Sequence, residues 1–150
     1  MQSEIVVKVM RVGAQHAPLP QYQSPGAAGL DLAANIAVAI TIAPRASQRI
    51  PTGIAIQIPE RNIMGLVFAR SGLAARHGIN LANGVGVIDS DYIGEIVCVL
   101  QNNREQPYVV HPGDRIAQLV FVPVAVATLR VVEQLESTER GSGGFGSTGV

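Results

Sequence analysis

Short apolar runs, each ended by glycine, proline or a polar turn, follow one another along residues 4–132. Segments that short cannot bury a face alone, so the chain is restricted to strands that stack into sheets. The stretch Ile50-Pro51-Thr52-Gly53-Ile54-Ala55-Ile56-Gln57-Ile58-Pro59 alternates isoleucine with smaller or polar residues, the period of two that turns one face of a strand inward. Further strands are predicted at 4–12, 37–42, 63–68, 79–81, 85–88, 94–101, 108–110, 117–122 and 124–132. The 16 glycines and 9 prolines fall mainly between these runs and punctuate them as turns. Only residues 71–77 read as a helix, with Ser71 as cap, Leu73, Ala74 and Ala75 as helix formers, and Gly78 as the stop. The predicted class is all-β, a sandwich or jelly roll with one short helix.

At 150 residues the chain fits one domain. It is 47% hydrophobic and only 15% charged, against a usual charged share of roughly 25%. So apolar a chain of this size is expected to bury part of itself against other subunits. The runs 96–100 and 119–122 are apolar on both faces, as in strands covered on two sides. The formal net charge is zero, which argues against nucleic-acid or membrane-surface binding but leaves room for an arginine cluster holding one small anion. Cys98 is the single cysteine, so neither an intrachain disulfide nor a cysteine-based metal site is expected; it reads as an inert core residue. The start Met1-Gln2-Ser3-Glu4 lacks signal-peptide character, and no run approaches the roughly 20 apolar residues of a membrane span. A soluble, cytoplasmic protein is expected.

Residues 136–150 change character and divide the chain into a β domain, 1–135, and a glycine-rich arm, 136–150. Taken alone, the arm reads as a disordered tail. Gly141, Gly143 and Gly146 satisfy a dinucleotide fingerprint by spacing, but only four residues follow and no helix can form after it. The same glycines lack the lysine a P-loop needs before Ser147-Thr148. What survives is a glycine-rich backbone whose N–H groups can wrap phosphate oxygens. His16, His77 and His111 are dispersed and read as surface or loop residues, so no protein metal cage is expected. Mg²⁺ would enter on substrate phosphates, keeping its waters.

Chemistry concentrates in Asn83-Gly84-Val85-Gly86-Val87-Ile88-Asp89-Ser90-Asp91-Tyr92-Ile93-Gly94-Glu95, which reads as a β-hairpin with an acidic turn. Asp89 at a strand end can activate a water if it faces a pocket; the plainer reading is a turn aspartate. Tyr92 alone would pass as packing. Ala69-Arg70-Ser71-Gly72-Leu73-Ala74 sets a guanidinium and a hydroxyl at a helix start, suited to an anion or simply a cap beside a solvated arginine. In Gly113-Asp114-Arg115-Ile116-Ala117-Gln118-Leu119, Gln118 is a polar side chain in an apolar run and needs a partner, structural or ligand.

Together with Ala28-Gly29-Leu30-Asp31-Leu32 and the arm from Arg140 to Gly149, these segments resemble, in order and spacing, the five motifs of the trimeric deoxyuridine triphosphate nucleotidohydrolase (dUTPase) family. The resemblance spans essentially the whole chain; Ile93 is an unusual apolar choice within it. It implies a homotrimer of jelly-roll (β-clip) subunits with active sites at the interfaces, Mg²⁺ as cofactor, and hydrolysis of dUTP to dUMP and pyrophosphate. That activity keeps uracil out of DNA and supplies dUMP for thymidylate synthesis. By the same resemblance Asp89 directs a water at the α-phosphorus, and Tyr92 packs beneath the deoxyribose. Asn83 with backbone near Val87, Ile88 and Val97 reads the uracil edge. Arg70, Ser71, Gly72 and Gln118 hold the phosphates. Arg140 reaches the γ-phosphate, Phe145 covers the uracil, and Gly146, Ser147 and Thr148 add phosphate contacts. Asp31 is expected to support the strand of the third motif. The alternatives are a dCTP deaminase-like enzyme, which needs another acid/base group beside the cytosine amine, and a non-catalytic nucleotide-binding trimer, against which the intact Asp89 argues.

Overall fold

A computed structural model describes residues 4–13 and 16–144. Among the described residues eleven strands and one helix follow in the order β1 (Lys8–Arg11), β2 (Gln21–Tyr22), β3 (Leu30–Ala33), β4 (Ile40–Ile42), β5 (Ser47–Gln57), β6 (Ile63–Ala69), α1 (Ser71–His77), β7 (Ile79–Leu81), β8 (Val85–Ile88), β9 (Glu95–Asn102), β10 (Tyr108–Val110) and β11 (Arg115–Pro123). They form a four-stranded sheet, β1-β5-β9-β7, a five-stranded sheet, β2-β3-β11-β6-β8, and a two-stranded pair, β10-β4. All pairings are antiparallel. The all-β expectation holds. Among the described residues no helix is long and apolar enough to cross a membrane.

The core forms where the inward faces meet. Leu32, Ile42, Ile50, Ile54, Ile79, Leu100, Val110 and Leu119 are all but excluded from solvent. Strand β9 alternates half-buried and buried residues along its length, the signature of one face inward. Its outward residues, Val97 and Val99, are the apolar excess that suggested a second covering layer. Two polar side chains lie in this interior, both satisfied. Thr52 donates its hydroxyl to the Ile96 carbonyl at 2.6 Å. Asn102 donates to the carbonyls of Ile42 and Gln106, and its Oδ1 accepts the Arg104 N–H. Cys98 is free and buried, as read, and burial pushes its thiol up to about 12.

Four expectations need correction. Helix α1 has the expected bounds and Gly78 ends it in the left-handed region (φ 67°), but the capping position is Arg70 and no side chain caps it. Ser71 is the first helical residue, so its hydroxyl faces solvent. The predicted strand at 124–132 is irregular and largely exposed and joins no ladder. Short β2 and β3 were missed, and the strand read over 4–12 shrinks to Lys8–Arg11. Finally, β8 and β9 are not a hairpin. The first pairs with β6 and the second with β5 and β7, so the segment between them crosses from one sheet to the other.

Candidate active site

That crossing creates the candidate site. Strand β8 is the last strand of its sheet, and β7 covers β9 only from Leu100 to Asn102. One edge of β8 and the adjacent edge of Glu95–Cys98 therefore carry main-chain donors and acceptors outside any ladder, the Val99 carbonyl already accepting the Ala82 N–H at 2.8 Å. Between them lies a cavity of about 200 Å³, with Asn83, Gly86, Val87 and Ile88 on one side and Tyr92, Glu95 and Val97 on the other. Buried Ile88 and Cys98 give it an apolar floor, whereas Val87 is 61% exposed at its mouth. Gly86 lets β8 lie close on β6: a Cβ there would stand 3.2 Å from Val67 Cβ. A planar heterocycle can slot between two such edges and pair with backbone groups as an added strand would.

Asp89 follows Ile88 directly and is exposed. Among the described residues nothing donates to its carboxylate; its carbonyl accepts the Tyr92 N–H at 3.1 Å, closing the turn. The Tyr92 ring is 45% exposed and donates its hydroxyl to the Glu95 carbonyl at 2.8 Å. Carboxylate, cavity and ring thus share one end of the molecule.

The cationic group is elsewhere. Arg70, which follows β6, donates to the Arg115 carbonyl at 2.9 Å. Arg115 in turn pairs with Asp31 at 3.0 Å, and Arg70 stands 3.7 Å from the same carboxylate. Gln118 donates to the Ala69 carbonyl at 3.2 Å, so part of its polarity is structural. Helix α1 begins here with the N–H groups of Ser71, Gly72 and Leu73 ahead of its first internal bond, Ala74 N–H to the Arg70 carbonyl. Burial and Asp114 raise the nearby Tyr108 hydroxyl, while Arg70 opposes them.

This corrects the reading of Asp31. It sits in β3 opposite Gln118 of β11 and aligns two arginines, rather than supporting the strand of the third motif. Arg115 was missed as part of the cluster, and Glu95 as part of the cavity wall. The signal for Arg115 was a charge beside Gln118 at the start of a buried strand.

The two groups do not meet within one chain. Phe68 faces Val85 and Gly65 faces Ile88 across the β6–β8 ladder. Arg70 and Asp89 therefore lie beyond opposite ends of it, about 20 Å apart at roughly 3.4 Å per residue. Arg140 is exposed and donates to the Gly143 carbonyl at 2.9 Å, while Phe145, Gly146, Ser147 and Thr148 lie outside the described residues. Among the described residues no cluster of His, Cys, Asp and Glu is arranged to hold a metal ion. Near the cationic group, Asp31 is occupied by both arginines, and Asp114 accepts the His111 N–H at 2.8 Å.

Comparisons with known proteins agree in family and fold. The dUTPase family model matches residues 15–149. The chain is 53% identical over 149 residues to the deoxyuridine 5'-triphosphate nucleotidohydrolase of Desulfitobacterium hafniense (strain DSM 10664 / DCB-2), with 99% of each chain covered. The protein of the same name from Serratia proteamaculans (strain 568) is 45% identical over 151 residues, again with 99% of each covered. A mutant of Staphylococcus bacteriophage 80alpha dUTPase, solved with dUpNHpp, has the same fold at TM-score 0.87 and 28% identity, over 97% of this chain and 99% of that one. A mutant dUTPase from phage phi11 of S. aureus, described as coordinating a structural Mg(II) ion, matches at TM-score 0.78 and 26% identity, over 88% of this chain and 99% of that one. Sequence, fold and motif order converge, and the chain belongs to the dUTPase family.

Proposed function

We propose that this chain, as a homotrimer, hydrolyses dUTP to dUMP and pyrophosphate. The observation that carries the reading is the cavity between two unpaired strand edges, with an exposed carboxylate next to its floor and a tyrosine at its mouth. Uracil enters between the edges and pairs with Asn83 and the backbone of Val87, Ile88 and Val97. Cytosine would leave those groups mismatched, a discrimination that unpaired buried donors make severe. Tyr92 lies against the deoxyribose and leaves no room for a 2′-hydroxyl.

Asp89 orients a water on the α-phosphorus and takes its proton as the P–O bond to pyrophosphate breaks. Arg70, Ser71, Gly72 and Gln118 hold the phosphates of a substrate whose base sits in another subunit's cavity. Support for that sharing is the separation of about 20 Å between Arg70 and Asp89 at the strand rise of roughly 3.4 Å. Apolar side chains stranded on a single chain add to it: Leu129, Val131 and Leu135 are 93%, 99% and 88% exposed. Residues 136–150 act as an arm that closes over a neighbouring site, bringing Arg140 to the γ-phosphate, Phe145 over the base, and Gly146, Ser147 and Thr148 to the phosphates. Mg²⁺ bound to the phosphate oxygens would offset their charge.

The test is pyrophosphate release from dUTP, dTTP, dCTP and UTP, each with Mg²⁺ and with chelator. Rapid release from dUTP alone, abolished by chelator, is expected; comparable release from dCTP or UTP would refute the assignment.

A further inference from the structure

Tyr92 is held by an arrangement that reaches well outside the cavity. Glu95 opens β9 where its pairing with β5 is interrupted, the register shifting between Pro51 and Ala55. Across that gap Glu95 Oε1 accepts the N–H of Gly53 at 2.8 Å. Gly53 is in the left-handed region (φ 66°), and its own carbonyl accepts the Val12 N–H at 2.8 Å. The carboxylate thus grips an irregular stretch of β5 that is pinned from its far side. Thr52, fully buried, adds its bond to the Ile96 carbonyl. Together these fasten the start of β9 where the ladder cannot.

The backbone carbonyl of Glu95 is the acceptor for the Tyr92 hydroxyl, so whatever fixes Glu95 fixes the ring. Gly94, between them, makes this fold-back possible. A Cβ there would stand 2.6 Å from the Tyr92 hydroxyl oxygen and 2.7 Å from Cζ, closer than real Cβ contacts come. Any side chain at 94 displaces the ring.

We propose that Glu95 and Gly94 are positioning residues that hold the Tyr92 ring rigid at the cavity mouth and so set how strongly the site rejects a ribose 2′-hydroxyl. The inference rests on the dUTP reading above. Exclusion by contact needs a wall that does not yield, and recognition groups work only when held to about 0.5 Å. Glu95 needs an oxygen lone pair and not a charge for this task, so glutamine can replace it. Alanine leaves the Gly53 N–H without its acceptor and frees the start of β9.

The experiment is kcat/KM for dUTP and for UTP in the full-length wild type, Glu95→Gln, Glu95→Ala, Gly94→Ala and Tyr92→Phe. The dUTP/UTP ratio should stay within about 2-fold of wild type in Glu95→Gln and fall by about 10-fold or more in Glu95→Ala and Gly94→Ala, the range a single steric contact controls. Tyr92→Phe should lower the ratio several-fold, and combining it with Glu95→Ala should lower it no further than the stronger single change. An unchanged ratio in Glu95→Ala, or a loss in Glu95→Gln as large as in Glu95→Ala, would overturn the proposal. Should the alanine variants fail to fold, Tyr92→Phe decides it: the lost bond belongs to a half-exposed ring, and an unchanged ratio there refutes the inference. Wild type that does not prefer dUTP would strike the functional reading instead.

Discussion

The cavity between β8 and β9 and the arginine cluster at the start of α1 are built in opposite ways. The cavity is made mainly of backbone: two strand edges that no ladder uses, closed by apolar side chains and one tyrosine. It exists in a single chain. The cluster is made of side chains that satisfy one another, Asp31 aligning Arg115 and Arg70 while Gln118 leans on the Ala69 carbonyl. Among the described residues it stands apart from Asp89 and the cavity. In the proposed reading, base recognition is therefore a property of the fold and catalysis a property of the assembly.

The sharpest way to separate the two is to remove the carboxylate. Asp89→Asn should leave dUTP affinity and trimer assembly intact while turnover falls by about 10²–10⁴-fold, the range for a positioned general base. Equilibrium binding beside steady-state kinetics checks it, and near-normal turnover would remove the base assignment. Deleting residues 140–150 should cost about 10²-fold in kcat/KM through lost positioning, with the trimer still seen by light scattering. Full activity after deletion would reduce the arm to a tail.

Arg70→Lys strikes the other half. It keeps the charge but loses the planar fork, and should lower kcat/KM for dUTP about 10-fold without altering preference among bases. A changed base preference would mean the two halves are not independent.

Cys98 gives the smallest effect, one on stability alone. Its thiol titrates at about 12 when folded, against 9.0 for the free group. Its folded pKa is raised, so it costs nothing below 9.0. Above that the unfolded chain loses the proton first, and stability falls as pH rises toward 12. By pH 10 the loss should be about 1.4 kcal/mol, visible as a steeper alkaline fall in Tm than in Cys98→Val. Identical slopes in the two proteins would show that Cys98 is not the group responsible.

Much of this was legible in the sequence where local chemistry decides the outcome. The strands Ile79–Leu81, Val85–Ile88 and Tyr108–Val110 and the helix Ser71–His77 have the bounds their residues dictate. The failures are those of partnership. The apolar runs at 85–88 and 94–101 identify strands but not which sheet each joins, so a crossing between sheets looked like a hairpin. The apolar run 124–132 has strand composition yet joins no ladder. For the candidate site, Asn83, Asp89 and Tyr92 were all named from the segment 83–95, and the cavity does gather Asn83 and Tyr92. Glu95 was not, because its role depends on Gly53, distant in sequence and joined to it only across an interrupted ladder.

In the proposed trimer one active site draws Asp89 and Arg70 from different subunits. Neither Asp89→Asn nor Arg70→Ala alone should turn over dUTP appreciably. Unfolded together in equal amounts and refolded, they should form mixed trimers in which roughly a quarter of sites hold both intact residues, and activity should return to that fraction of wild type. Mixed trimers as inactive as the parents would place both residues in one chain's site and contradict the account.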